Sequence, residues 1–129
     1  MSMELKMLAW SIVLGFVQIA LAASVSTGQR GMAWGVGARD GTPPPVTPFA
    51  ARLGRASANF LETFPLFAAA VLAVVAAGAG SERTALGAQL YFWARVAYLP
   101  AYAAGVPYAR TLAWAASIVG LAFVVMALF

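Results

Sequence analysis

Apolar positions run along the chain in four long stretches, and polar positions are gathered between them. Residues 5–25 hold Gln18 as the one strongly polar member beyond Lys6, and residues 50–79 begin polar and give way to FAAAVLAVVAAGA. Residues 84–104 and 108–129 form the last two stretches, the second ending in VVMALF. A bilayer core takes about 20 apolar residues per helix, so each stretch is predicted as a membrane-spanning helix. The connections are a long segment over 26–49, a short GAGSER turn and a very short AGVP link. The fold class read from this pattern is all-α, an integral membrane four-helix bundle forming one domain over residues 1–129.

The first stretch also has the marks of a cleavable signal peptide, with Lys6, an apolar run and the small residues ALAAS. Its apolar run is long for such a segment, and a retained helix is the expectation. In the long connection, several glycines and Pro43-Pro44-Pro45 oppose regular helix and favour an extended path. Ala68, Ala69, Ala70, Ala76 and Gly78 are small enough for close helix approach, and a left-handed bundle is expected.

Composition agrees with the pattern. The chain is 63% hydrophobic and 9% charged, too little polar material to clothe a soluble domain of 129 residues. Its net charge of +4 comes without a dense basic run interleaved with aromatics, which argues against nucleic acid as a partner. Arg30, Arg39, Arg52, Arg55 and Arg110 fall on one side of the predicted membrane. The positive-inside rule then places the first and third connections in the cytoplasm and both termini outside.

There is no cysteine and no histidine. Disulfides, thiolate nucleophiles of the chain's own and imidazole bases are therefore excluded. Glu4, Asp40, Glu62 and Glu82 lie on separate segments, so no metal site is expected. Any reactive group must arrive with a cosubstrate.

Two polar stripes run through this apolar background. Arg52, Arg55, Asn59 and Glu62 fall within an arc of about 80° on the second helix at 100° per residue. Charged groups at such depth ordinarily face a bundle interior or a water-filled cavity. Arg52 alone suits a side chain reaching back to the headgroups, whereas Asn59 and Glu62 lie too deep for that. Glu62 is expected to be ionised and held by one of the arginines. Pro65, a turn further on, weakens the helix and frees a carbonyl near the same depth. On the third helix Tyr91, Arg95, Tyr98 and Tyr102, spaced 4, 3 and 4 apart, share a narrow face. Tyr91 and Tyr108 fit interfacial anchors, but an arginine within the tyrosine row does not. Both stripes are best satisfied by one shared polar site, suited to a small zwitterionic, multiply anionic ligand.

RLGRASANFLETFPLF and YFWARVAYLPAYAAGVPYARTLAW together resemble the second helix, third helix and start of the fourth helix of the MAPEG family, the membrane-associated proteins of eicosanoid and glutathione metabolism. The resemblance extends over essentially the whole chain, which also resembles a bacterial branch of the family, and this implies a bacterial inner membrane. It implies a homotrimer that binds glutathione as cosubstrate between neighbouring subunits and meets lipophilic substrates in the membrane lipid. Arg55, Asn59 and Glu62 match glutathione-binding positions of the family's second helix. Tyr98 and Tyr102 match tripeptide contacts on the third, and Arg95 a basic position at the same site.

The implied activity is that of a glutathione-dependent transferase or peroxidase acting on lipophilic electrophiles, with the glutathione thiolate as nucleophile. The family's thiolate-holding arginine lies several residues beyond the second tyrosine. Here that connection is shorter and Arg110 is its only cation. Arg110 and Tyr102 are the candidate catalytic pair, and a topology anchor is the competing role for Arg110. Two other readings stand beside this one: a non-catalytic lipid- or ligand-binding protein on the same scaffold, and a small transporter or channel subunit.

Overall fold

A computed structural model describes residues 1–129 and contains five helices: α1 (Met3–Arg30), α2 (Met32–Val36), α3 (Pro48–Ala76), α4 (Glu82–Ala103) and α5 (Pro107–Met126). Each long helix starts where local chemistry favours it. Ser2 accepts a hydrogen bond from the Leu5 amide, and Thr47 accepts one from Ala50 just ahead of Pro48. Ser81 and Thr84 form a reciprocal capping box at the start of α4, and Pro107 opens α5. Such caps satisfy amides that have no partner inside the helix.

α1 continues past the apolar stretch to Arg30, because hydropathy marks the bilayer rather than the end of a helix. Gly31 stops it, with φ 97°. The long connection is thereby shortened and holds the five-residue α2 before its proline-rich extended part. α3 runs unbroken through Pro65, and α4 through Pro100.

α1, α3 and α5 are long and apolar enough to cross a membrane. The chain is a membrane-spanning helical protein. α4 is less apolar, and its place in the bundle explains why. It packs against α1, α3 and α5, whereas α1 and α5 do not meet. Lipid contact is thus left mainly to its neighbours, and α4 can carry Gln89, Arg95 and three tyrosines. Its buried face reads Thr84, Gly87, Ala88, Tyr91, Phe92, Ala94, Arg95 and Tyr98.

The tightest seam joins α4 to α5. A Cβ built on Gly87 would stand 2.6 Å from the Gly120 carbonyl oxygen, and one on Gly120 would stand 2.5 Å from that of Gly87. Backbones this close explain two glycines at mid-helix, where each costs about 1 kcal/mol against alanine. The α3 alanines do less than their size suggests. Ala70 is buried and Ala68 packs against the core, but Ala69, Ala76 and Gly78 are exposed.

Phe60, Phe67, Val71 and Val74 of α3 form the core with Tyr91 of α4 and Leu121 and Val124 of α5. Tyr91 lies at its centre, fully buried. Its ring stacks on Phe67 at 4.0 Å between centroids, and its hydroxyl is 2.9 Å from that of Thr63. The interfacial role expected for Tyr91 is therefore corrected: Thr63 satisfies the phenol inside the bundle. At the end of the bundle where α1 and α4 begin, the buried Glu4 carboxylate accepts a hydrogen bond from the Thr84 hydroxyl at 2.5 Å. The opposite end holds the polar stripes.

Candidate functional site

The start of α3, the end of α4 and the start of α5 converge at that opposite end. Arg52 donates from Nε to the Ala103 carbonyl oxygen at 2.9 Å, where a cation also complements the negative end of α4. This contact spends Arg52 on fixing α3 against α4. Three residues on, Arg55 donates from Nε to the Tyr102 hydroxyl at 2.9 Å. Arg110, from the first turn of α5, lays its guanidinium 5.0 Å from the centre of the Tyr102 ring. Tyr102 thus lies between two cations from different helices. Its hydroxyl proton remains free to donate, because Arg55 uses only the oxygen.

One turn deeper, Arg95 is 1% exposed and none of its three guanidinium nitrogens has a partner in the chain. It lies 4.2 Å from the centre of the Tyr98 ring and 5.5 Å from that of Phe60. Such stacking stabilises a desolvated cation by about 2 kcal/mol, less than the hydrogen bonds the buried group forgoes. The Tyr98 hydroxyl and the Asn59 carbonyl oxygen are also buried without partners. A cleft of about 160 Å³ opens beside them, lined by Asn59, Tyr98, Arg110, Thr111 and Trp114. The Tyr98 and Tyr102 rings stand 5.6 Å apart along its α4 side.

The geometry brings Arg55, Asn59, Arg95, Tyr98, Tyr102 and Arg110 together. Glu62 lies on the exposed side of α3 in the single chain, near enough to Arg95 to act on it through charge but without a hydrogen bond to it. Periodicity placed Glu62 on the stripe, but the stripe is wide enough for its far edge to turn outward. Thr111 and Trp114 are the lining residues missed in the sequence. Trp114 lies four beyond Arg110 and three beyond Thr111, spacings that place it on a face with each, and that was the available signal.

Four guanidiniums at one end, with Arg110 lining the cleft and the unpartnered Arg95 buried near it, suit a ligand bearing carboxylates. The exposed flanks of α1, α3 and α5 carry Phe16, Leu66, Leu72, Leu112 and other large apolar side chains, as lipid contact requires. The molecule is thus an all-α integral membrane protein with an internal cationic site. It belongs to the MAPEG family, whose family model matches residues 7–129. No curated protein matches the chain significantly. Membership implies a membrane function connected with lipid and glutathione.

Proposed function

We propose that the chain is a glutathione-dependent transferase or peroxidase of the membrane, acting on lipophilic electrophiles. The observation carrying this reading is the set of unpartnered buried groups on Asn59, Arg95 and Tyr98 beside a cleft that Arg110 also lines. Glutathione, with two carboxylates, an amine and two amides, is complementary to that set. Arg55 and Arg95 hold carboxylates, Asn59 pairs with a peptide amide, and Tyr98 supplies a hydroxyl. Glu62, exposed on the single chain, accepts from the amine at a boundary between subunits of a homotrimer.

Glutathione supplies the nucleophilic sulfur. Arg110 and the Tyr102 hydroxyl stabilise it as thiolate, and the thiol proton leaves to water because no histidine is present to take it. The Arg110 guanidinium, exposed yet set against the Tyr102 ring, supports this role beside that of a topology anchor. With an aryl halide, a carbon–sulfur bond forms as the carbon–halogen bond breaks, and halide departs with the electron pair. In this reading α4 is the fourth span, the first and third connections are cytoplasmic, and the membrane is a bacterial inner membrane.

Thermal melting in detergent with and without glutathione tests binding, since a ligand of the native state raises the melting point. Conjugation of an aryl halide tests chemistry. Stabilisation without conjugation would favour a non-catalytic binding protein, and absence of both would overturn the proposal.

A further inference from the structure

The last turns of α1 carry a second cationic cleft that the glutathione reading does not use. It measures about 100 Å³, and Ser26, Thr27, Arg30, Trp34, Gly35 and Arg39 line it. That is room for a few waters or one tetrahedral oxyanion, a water's share of liquid volume being about 30 Å³. No carboxylate lines it.

Both arginines are fixed in place. Arg30 donates from Nε to the Pro44 carbonyl oxygen at 2.9 Å, tying the end of α1 to the proline segment. Arg39 donates from Nε and one terminal nitrogen to the Gly35 carbonyl oxygen, at 3.2 and 2.7 Å. Its backbone has φ 59°, the only positive value among the non-glycine residues. An arginine that merely reaches for headgroups extends outward into water. These two are turned back onto backbone carbonyls and converge, which sets like charges together with no opposite charge in the lining. Each still has terminal N–H groups to offer, and Ser26 and Thr27 add hydroxyl donors. Such a set recognises an oxyanion with several acceptor oxygens.

We propose that this cleft binds an anionic phosphate group at the membrane surface, the phosphodiester of a lipid headgroup or free phosphate. Its depth relates it to the bilayer. α1 is 28 residues long, about 42 Å at 1.5 Å per residue, against a hydrocarbon core of about 30 Å. Its last turns therefore stand at headgroup level, where Trp34 is at home and the exposed Met32 and Val36 of α2 lie along the interface. An open hollow of about 560 Å³ continues from the cleft along α1, sharing Ala23 and Thr27 and reaching Gly28 and Met32. It offers a path for the glycerol and upper acyl segments, which favours the lipid source.

The test is melting of the full chain in neutral detergent without glutathione, so its outcome is independent of the glutathione site. The probes are dioctanoyl phosphatidylglycerol, dioctanoyl phosphatidylcholine and inorganic phosphate. Phosphatidylglycerol is expected to raise the melting point by several degrees in a saturable manner, and phosphatidylcholine by much less. Arg39 is exposed, so Arg39→Gln should keep the unliganded melting point and lose the shift. Arg83→Gln, at the opposite end of the bundle, should keep both. A saturable shift with inorganic phosphate alone, also lost in Arg39→Gln, would assign the site to free phosphate. The proposal is overturned if no probe shifts the melting point or if the shift survives in Arg39→Gln. It is equally overturned if Arg83→Gln abolishes the shift, since general surface charge would then be responsible.

Discussion

Arg110 and Tyr102, eight positions apart in the chain, meet across the short link between α4 and α5, the guanidinium 5.0 Å from the ring centre. The contact places an exposed cation in the lining of the cleft. If that cation stabilises the bound thiolate, Arg110→Leu should leave glutathione bound but lower the thiolate fraction near neutral pH about tenfold, equivalent to about 1.4 kcal/mol. Ultraviolet thiolate absorbance of the bound tripeptide, titrated in both proteins, measures this. Unchanged titration with binding intact would remove Arg110 from the chemistry.

Tyr102→Phe keeps the ring under Arg110 and deletes the hydroxyl that Arg55 engages. A hydrogen bond to a charged group contributes about 1.5–3 kcal/mol, so kcat/KM for conjugation should fall at least about tenfold. Steady-state kinetics beside a melting curve separates this from a loss of fold, which is not expected.

Glu62→Gln removes the one carboxylate of the α3 stripe. Because Glu62 is exposed on the single chain, the melting point without ligand should hold while glutathione affinity falls about tenfold or more. Titration calorimetry in detergent reads the affinity. Equal affinity in the variant would exclude Glu62 from the site.

The Thr63–Tyr91 pair allows a test of the core. Within membranes such pairs couple by about 0.6 kcal/mol on average and about 1.7 at most. Thr63→Val and Tyr91→Phe should each destabilise, and the double variant should cost less than their sum by about 1 kcal/mol. Additivity would mean that the two hydroxyls do not depend on each other.

Gly120→Ala should be the most disruptive small substitution in α5, because its methyl carbon would meet the Gly87 carbonyl at 2.5 Å. Overpacking of this kind costs about 1–3 kcal/mol. A melting point lower by several degrees is the expected outcome.

Much of this was legible beforehand, and what was not has physical causes. Long apolar stretches announced the helices, and a period of 3.6 placed Arg55 with Asn59 and Arg95 with Tyr98. Periodicity states which residues share a face, not where that face's edges fall once neighbours pack. Hence Glu62 is exposed on the single chain and Tyr91 sits in the core. Gly87 and Gly120 were equally hidden, since a close crossing shows only when two helices are seen together. The end of α1 was misread because Ser26 to Arg30 are polar yet remain helical beyond the apolar run.

The hydrogen bond between Glu4 and Thr84 spans 80 positions of the chain. During synthesis the carboxylate emerges with the first turn of α1, and its partner follows only after α1, α2 and α3 have all been made. α1 therefore enters the membrane with an acid at its tip that no later helix has yet arrived to receive. α1 packs against both α3 and α4, so its burial is complete only once α4 has arrived. A chain interrupted before residue 84 would contain every residue of α1 and α3 and still leave the buried carboxylate without its partner.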